Sequence, residues 1–358
     1  MAVTYFCRLK PIAEYFLGGE KTFDFGETKS DAKNNYFIHS EEEISQATIL
    51  GVLRFVVLKK NNKLSNGLGD TTKQEEQSKL IGREGFNIKN DQSECDYGKI
   101  LSISPVLIYE GDVTYIHTPL NHKVNRNAEN DKYTQFDMVK MGISDIGNIT
   151  YLPENYDGKE GLSYDYMSIM DNSIKRKESI FASQSRTRVS KTSDEKGFFK
   201  KTYQFLKDNY YFGFYVTLEE DWCDEEKISN EIVYLGQEKS AFVLSFELME
   251  EKKIHIYHEE KNTDYQIYYA LSDTYFDNYD DVKKTIYYSI IDKKTYRFMT
   301  RQQGQDFVSR KMMSERFQFV KAGSVFYVKK DKQQEFEKVF SNKQLQQIGF
   351  NQIIKIGE

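Results

Sequence analysis

The chain has 358 residues, of which 39% are hydrophobic and 29% charged, and its formal net charge at pH 7 is −5. This composition is that of a globular, soluble protein and excludes an intrinsically disordered one. The length is enough for two domains or for one large one. The opening MAVTYFCRLK lacks the apolar core of a signal peptide, and no apolar run approaches the ~20 residues of a membrane span. A cytoplasmic protein that does not contact a membrane is therefore expected.

Residue patterns for metal binding and for common enzyme classes are missing from the sequence. Cys7, Cys95 and Cys223 are odd in number and have no CxxC spacing, which argues against a disulfide framework and a structural zinc site. The acidic runs at 41–43 and 219–221 lack the ligand spacing of a metal-binding turn. The sequence also lacks the motifs of phosphate loops, dinucleotide-binding folds, zinc proteases and serine hydrolases. No metal, no cofactor and no enzymatic activity are predicted.

Charge is distributed unevenly along the chain. Residues 174–210 hold ten Lys and Arg against four Asp and Glu, a local charge of +6, and residues 293–330 hold ten against two, a local +8. Residues 217–264 hold fourteen acids against five bases, a local −9. Two basic segments on an acidic chain indicate a nucleic-acid face on one side of the molecule. Alternating solvated faces would give the same counts.

The first sixty residues predict a strand, a glycine-bearing loop and a helix. Val3–Leu9 is β-branched and aromatic, as strands are. The loop that follows contains Gly18-Gly19, which is either a tight turn or a place where main-chain amides approach a ligand. Ser40 and Glu43 have the spacing of a capping box, and apolar residues at helical spacing predict a helix over 41–59.

The remainder of the chain predicts further strands and two more helices. The helices are predicted over 225–235, ended by Gly236, and over 331–340, capped by Asp331. Hairpins are predicted around Gly111 and Gly323. Strands are predicted at 100–108, 113–116, 181–189, 198–205, 210–218, 241–249, 253–257, 265–271, 285–291, 316–320, 325–329 and behind Gly349. This order predicts an α+β protein of two ferredoxin-like domains with β-hairpin insertions, at residues 1–250 and 251–358.

The run KRKESIFASQSRTRVSKTSDEKGFFKKTYQFL predicts a hairpin that carries many cations. Arg186 and Arg188 are two residues apart, so in a strand they share a face. Guanidinium groups on one face suit phosphates, which Arg binds bidentately. Tyr203 and Phe199 are candidates for stacking on bases, although packing within a sheet is the commoner role of an aromatic residue. The cationic candidates of this hairpin are Arg186, Arg188, Lys191, Lys200 and Lys201.

Four stretches resemble one known family, in the order in which that family carries them. They are YFCRLKPIAEYFLGGEKTFDFGE with EEEISQATILGVLRFVVL, then SRTRVSKTSDEKGFFKKTYQF, then IVYLGQEKSAFVLSFEL, and finally FVKAGSVFYV with IGFNQIIKI. Together they resemble the third Cmr subunit of type III-B CRISPR effectors, which is a RAMP protein. One departure is that the C-terminal glycine-rich loop of many RAMPs is thin here, with only Gly349 and Gly357.

The resemblance implies a non-catalytic RNA-binding subunit of a ribonucleoprotein for antiviral defence. It implies that two ferredoxin-like RAMP domains grip the 5′ repeat-derived handle of the crRNA at the foot of the Cmr complex. The implied partners are the crRNA, the large polymerase-like subunit and the first backbone RAMP subunit, with target RNA contacted indirectly. The residues expected to contact RNA are Gly18, Gly19, Lys21, Arg186, Arg188, Lys191, Lys200, Lys201, Arg310, Lys311, Arg316 and Lys321.

Two alternatives stay open at this point. One is a RAMP endoribonuclease that processes precursor crRNA, with His117 or His122, which flank Pro119, as general acid or base. A surface histidine without chemistry is the plainer interpretation of either residue. The other alternative is the equivalent handle subunit of a type III-A complex, which GGEKTFDFG and KAGSVFYV fit less well.

Overall fold

The chain folds into several antiparallel sheets with short helices between them. The computed structural model describes residues 2–23, 36–64, 71–83, 86, 88, 95–122, 133–143, 149–154, 165–189, 198–223, 230–236, 238–250, 254–256, 263–302 and 310–357. Its strands are β1 (Ala2–Pro11), β2 (Leu17–Phe23), β3 (Tyr36–Glu41), β4 (Ile100–Ile103), β5 (Leu107–Glu110), β6 (Val113–His117), β7 (Met138–Ile143), β8 (Ile149–Pro153), β9 (Tyr166–Ser168), β10 (Ile174–Lys175), β11 (Phe181–Val189), β12 (Phe198–Leu206), β13 (Tyr210–Glu219), β14 (Glu231–Leu235), β15 (Ser240–Leu248), β16 (Tyr265–Ala270), β17 (Ile286–Ile290), β18 (Lys293–Tyr296), β19 (Met299–Gln302), β20 (Arg310–Met313), β21 (Phe317–Val320), β22 (Val325–Lys329) and β23 (Ile353–Lys355). Its helices are α1 (Gln46–Lys60), α2 (Thr71–Ile81), α3 (Lys177–Ile180), α4 (Tyr279–Thr285), α5 (Gln333–Val339) and α6 (Lys343–Gln347). The mixed α+β class is as predicted.

The largest sheet has β1 near its centre. Its order is β10-β9-β6-β5-β13-β1-β15-β14, with β4 also paired to β13. β1 pairs antiparallel with both β13 and β15. The predicted strand at Val3–Leu9 is confirmed, and it continues to Pro11. The hairpin around Gly111 is also confirmed, since Gly111 has φ +58° between β5 and β6.

Helix α1 covers one face of this sheet. Its N-cap is Ser45, whose side chain accepts a hydrogen bond from Thr48 N. The predicted start at residue 41 and the Ser40–Glu43 capping box are therefore wrong. Ser40 belongs to β3, and its Oγ accepts a hydrogen bond from Leu17 N at 2.8 Å. The hydroxyl of Ser40, which the spacing predicted to cap the helix, instead bonds to Leu17 on the neighbouring strand, 23 residues away.

A second, four-stranded sheet has the order β11-β12-β3-β2, and is called the hairpin sheet below. β11 and β12 form the predicted basic hairpin, while β12 pairs in parallel with β3. The loop predicted around Gly18-Gly19 is wrong, because these residues lie in β2, which pairs antiparallel with β3. The pairing is irregular between Gly18 and Lys21, so the glycines mark a distorted strand and not a turn.

The strand-rich C-terminal part forms a third sheet, of order β17-β22-β16-β23. Its four strands are all paired antiparallel. The predicted hairpin around Gly323 is wrong, because β21 pairs with β18 while β22 pairs with β16 and β17. Gly323 has φ +91° and lies where the chain passes between two sheets. The predicted cap at Asp331 is also wrong, since a 3₁₀ turn at Lys330–Lys332 leads into α5.

The helix predicted over 225–235 is wrong where the structure describes it. Residues 231–235 form the strand β14, and residues 224–229 lie outside the described part. Ile232 and Tyr234 are exposed while Val233 and Leu235 are buried, which is the two-residue period of a strand. Gly236, with φ +71°, turns the chain back into β15.

The first and third sheets pack face to face through a shared core. Phe6 and Tyr215 from the first sheet join Tyr269, Val325 and Tyr327 from the third in one buried cluster. The strands of the first sheet end by Leu248 and those of the third begin at Tyr265.

Among the helices in the described ranges, none is both long enough and apolar enough to cross a membrane.

Replacing Gly19 by Ala tests the close approach of β2 to β3. A Cβ on Gly19 would lie 2.2 Å from the carbonyl oxygen of His39, so the strands would have to separate. We expect Gly19→Ala to lower the free energy of unfolding by about 1–3 kcal/mol, measured by denaturant titration. Gly18→Ala is the matched control, because nothing lies within 4 Å of its Cβ, and it should change stability by about 0.5 kcal/mol or less. Equal effects of the two substitutions would contradict this packing.

Candidate nucleic-acid interface

One face of the hairpin sheet is exposed and carries a ring, an imidazole, an ammonium group and two hydroxyls. Strand register places Phe37 beside Lys200, and Lys200 beside Thr187. The next row holds His39 and Ser185 on either side of Thr202. Residues in one row, or two apart along a strand, point to the same side of a sheet. We call this surface the open face, and its exposed residues are Phe37, His39, Ser185, Thr187 and Lys200.

The open face has the composition of a single-stranded RNA surface. Phe37 is 39% exposed, which leaves its ring accessible beside the ammonium group of Lys200. Exposed rings stack on unpaired bases, and cations and hydroxyls contact the backbone. The candidates drawn from the sequence did not include Phe37 and His39. Phe37 and His39 are two residues apart in YFIHS, which predicts that they share a face of a strand. The sequence does not show that this face adjoins Lys200, because that depends on the pairing of β12 with β3.

The arginines of the basic hairpin lie on the opposite face. Arg186 is the register partner of Lys201, whereas Lys200 points to the open face. Arg186 donates to Glu14 at 2.5 Å, and its guanidinium lies 5.2 Å from the ring centroid of Tyr203. Lys201 forms an ion pair with Glu238. This face, called the paired face below, therefore has much of its positive charge compensated, although Arg188 is exposed.

Glu238 remains ionised opposite this hairpin. Burial alone would raise the pKa of Glu238, but hydrogen bonds from Lys201 and Tyr203 and the charges of Lys201 and Arg188 lower it below its ordinary value. Tyr203 is 5% exposed and donates to Glu238 at 2.9 Å, so it packs in the core. Phe199 stacks on Tyr36 with ring centroids 5.3 Å apart. Both rings thus have packing partners within the protein.

The other predicted RNA-binding residues are scattered. Gly18 is exposed in β2, while Gly19 packs against β3. Arg316 is exposed just before β21, and Lys321 forms an ion pair of 3.0 Å with Asp292 beside the Gly323 turn. The side chains of four candidates lie outside the described part, and these are Lys21, Lys191, Arg310 and Lys311.

Three successive carboxylates, Glu41 to Glu43, connect β3 to α1 and are called the acidic triplet. Each carboxylate pairs with a cation from a different segment. Glu41 pairs with Lys294 at 2.9 Å and Glu42 with Lys177 at 2.7 Å, and the third pair is Glu43 with His117 at 3.0 Å. The acidic triplet was predicted to start a helix, but it lies outside α1. Its ion pairs connect the large sheet, α3 and the C-terminal part of the chain. In the ranges that the structure describes, no cluster of His, Cys, Asp and Glu is arranged to hold a metal ion.

The two histidines of the nuclease alternative are both held by the fold. Tyr166 donates to Glu43 at 2.6 Å, and its ring stacks on His117 at 5.0 Å. His122 is 4% exposed, with Nδ1 2.7 Å from the carbonyl oxygen of Pro119, so it is not a surface residue. The cavity beside His117 has a volume of about 60 Å³. Ligand sites usually measure about 300–1,000 Å³, so this one has room for water but not for a nucleotide.

Each member of the His117–Glu43 pair shifts the pKa of the other. Burial would lower the pKa of His117, but the charge of Glu43 and the hydrogen bond to it outweigh burial and raise the pKa above its ordinary 6.5. Burial would raise the pKa of Glu43, yet His117, Tyr166 and Lys294 together lower it from 4.5 to about 2. Because the pKa of His117 is raised and that of Glu43 lowered, the ionised forms of both residues are favoured between pH 4.5 and 6.5.

This pair makes the stability of the protein depend on pH in a predictable direction. Because the pKa of His117 is raised in the folded state, its contribution is complete below pH 6.5 and is lost as the pH rises through the folded value. The contribution of Glu43 is complete above pH 4.5 and is lost as the pH falls towards about 2. We expect Tm to fall as the pH rises above 6.5, and His117→Gln to remove most of that fall. His39→Gln, on the open face, is the control, and an unchanged pH profile in His117→Gln would contradict the assignment.

No protein-family profile matches the chain. No curated protein matches it either. Solved structures with similar chains include the type III-B Cmr-beta complex bound to cognate target RNA, at 14% identity and a TM-score of 0.46, covering 98% of this chain and 96% of that one. A chain of the Csm1-Csm4 cassette in complex with pppApA shares 12% identity at a TM-score of 0.34, covering 91% and 87%. A chain of the Csm3-Csm4 subcomplex of the type III-A CRISPR-Cas interference complex shares 11% at 0.35, covering 90% and 92%. At these values the likeness does not identify a family or an activity.

Proposed function

We propose that the chain is a non-catalytic RNA-binding subunit of a type III-B CRISPR effector, which holds the 5′ handle of the crRNA. The observation that carries this proposal is the open face, where Phe37 and Lys200 lie side by side on adjacent strands. The ordered sequence resemblance to the third Cmr subunit supplies the identity of the RNA. The implied neighbours are the large polymerase-like subunit and the first backbone RAMP subunit, with target RNA contacted indirectly.

We further infer that both units are ferredoxin-like, as RAMP domains are. The third sheet takes its four strands in the chain order β16, β17, β22 and β23, and its order β17-β22-β16-β23 is 2-3-1-4 in that numbering. Helix α4 follows the first strand and α5 and α6 precede the last, while β18–β21 are inserted between the second and third. In the N-terminal unit β5-β13-β1-β15 has the same order, with α1 in the first crossover. The second crossover contains β14 in its described residues, which departs from the pattern.

The cations of the hairpin sheet are expected to contribute unequally to RNA binding, because only some of them are paired with carboxylates. Lys200 and Arg188 are exposed, and Arg188 lies on the paired face, where its charge acts on Glu238. Arg186 and Lys201 are paired with Glu14 and Glu238. Because a paired cation neutralises a phosphate only after losing its carboxylate, Lys200 is the cation that contributes most to binding at the open face.

The proposal assigns structural roles to both histidines. His117 anchors the acidic triplet, and His122 faces the carbonyl of Pro119. A general acid or base must reach the substrate within hydrogen-bond distance, which the small cavity beside His117 does not allow without rearrangement. The handle subunit of a type III-A complex is the alternative, and the large subunit that co-purifies with the chain distinguishes the two.

Substitutions on the open face should weaken binding of crRNA that carries its 5′ handle. Phe37→Ala removes a stacking platform worth about 1–3 kcal/mol, so the Kd should rise about tenfold. Lys200→Ala should reduce the salt dependence of log K by about 0.7, the value for one phosphate on a single strand. Binding is measured by fluorescence anisotropy in a salt series, with the chain alone and assembled with its partner subunits.

The matched control is Phe55→Ala, because Phe55 is exposed to 38% but lies on α1. Equal losses from Phe37→Ala and Phe55→Ala would contradict the open face as the binding surface. No preference for the handle over a scrambled RNA, even in the assembled complex, would contradict the proposed function. RNA cleavage abolished by His117→Ala or His122→Ala would favour the nuclease alternative.

The paired face offers a negative control for the open face. Glu238→Gln keeps an acceptor for Tyr203 but removes the charge that pairs with Lys201. Because Lys201 points away from the open face, its release should leave the salt dependence of log K unchanged, whereas one added phosphate contact would steepen it by about 0.7. Glu247→Gln, which removes the partner of Arg8 on another sheet, should behave in the same way. A steeper salt dependence in Glu238→Gln alone would place the RNA on the paired face.

A further inference from the structure

Strand β14 forms an unprotected edge of the largest sheet. It is the last strand in the sheet order and pairs with β15, and in the described part of the chain its other edge has no backbone partner. Ile232 is 51% exposed and Tyr234 61% exposed on its outer side. Natural sheet edges are usually blocked by charged residues, proline or bulges. The one charge of β14 is Glu231, which is buried and paired with Lys59 and Lys60.

A groove runs beside this edge. It has a volume of about 580 Å³ and lies between β14, the exposed side of α1 and residues 296–298. The buried side of helix α1 carries Leu50 and Leu53, and its other side presents Phe55, 38% exposed, to the groove beside Arg54. Exposed apolar side chains that line a groove mark a surface at which another molecule binds. The groove is therefore a candidate binding surface for another polypeptide segment.

The groove carries positive charge, and its described lining residues include no carboxylate. Its charged lining residues are Arg54 and Arg297. Arg297 is exposed, with its Nε donating to Ser314 O at 3.2 Å, and the guanidinium of Arg54 lies 5.0 Å from the ring centroid of Tyr97. An occupant that complements this lining is apolar and acidic.

We propose that an extended segment of a partner protein, with alternating apolar and acidic residues, adds a strand to β14. In this mode the main chain pairs with the free edge while alternate side chains enter a neighbouring groove, so one occupant uses both features. Its carboxylates meet Arg297 at the end of the groove. This surface is separate from the open face, and the inference does not depend on RNA binding.

The aromatic rings on one wall of the groove, at residues 86, 296 and 298, favour a peptide over RNA. Tyr296 and Phe298 stack on each other at 5.8 Å, and Phe86 packs edge-on against Phe298 at 4.7 Å. Stacking of a base needs a ring with a free face, and these rings already contact one another. Apolar side chains, in contrast, pack against ring edges without displacing them.

The test uses synthetic peptides that alternate valine or isoleucine with glutamate, added to the full-length chain. We expect binding by fluorescence anisotropy, and slower amide hydrogen exchange in residues 231–235 when peptide is present. The same peptide with alternate amides N-methylated should bind about tenfold or more weakly, because it cannot pair with a strand edge. Ile232→Lys should cause a similar loss, since a lysine on the edge opposes strand addition.

Matched controls keep the test specific. Met170→Lys introduces the same charge at a residue that is 71% exposed and distant in the sheet order, and it should leave binding unchanged. Arg297→Glu should weaken peptide binding several-fold, whereas Arg176→Glu, at another exposed arginine, should not. No binding at millimolar peptide, or equal binding of the N-methylated peptide, would overturn the proposal. The proposal would also be overturned if single-stranded RNA or a second copy of the chain, and not the peptide, slowed amide hydrogen exchange in residues 231–235.

Discussion

Three consecutive carboxylates between β3 and α1 hold the main parts of this molecule in position. Glu41, Glu42 and Glu43 would repel one another if they were left uncompensated. Each is matched by one cation, from β18, from the segment before β11, and from β6. The same short connection therefore links the C-terminal part and the start of the basic hairpin to the large sheet, alongside the buried core that the sheets share.

Sequence patterns predicted the long apolar strands well, missed several short ones, and predicted the pairing poorly. Strands rich in Tyr, Phe and Val were placed nearly correctly, because their two-residue period is local. The capping box failed since the hydroxyl of Ser40 bonds to Leu17 across a sheet, and Ser45 caps the helix in its place. The turn at Gly323 was taken as a hairpin, yet its flanking strands pair with partners from other parts of the chain. Both errors concern contacts between residues distant in sequence, on which local spacing carries no information, whereas the helix predicted at 231–235 was a local error.

The charges of the candidate site could not be predicted from the local sequence either. Counting charges along residues 174–210 gives a surplus of cations. The count does not include Glu14, which lies 172 residues from Arg186, or Glu238, which lies 37 residues from Lys201. Which cations stay exposed is decided by these distant acids. The open face could not be recognised from composition either, because Phe37 and Lys200 become neighbours only through a parallel strand pairing.

That parallel pairing also has a consequence for the order of folding. Strand β3 ends at residue 41, whereas its partner β12 begins at residue 198, and β1 needs β13 and β15 from still later in the chain. At translation rates of about 5–20 residues per second, the N-terminal strands wait roughly 10–40 s for their partners. Contacts of such high sequence separation form slowly, and unpaired edges aggregate meanwhile. We therefore infer that the nascent N-terminal half depends on protection by chaperones until the second half of the large sheet has been synthesised.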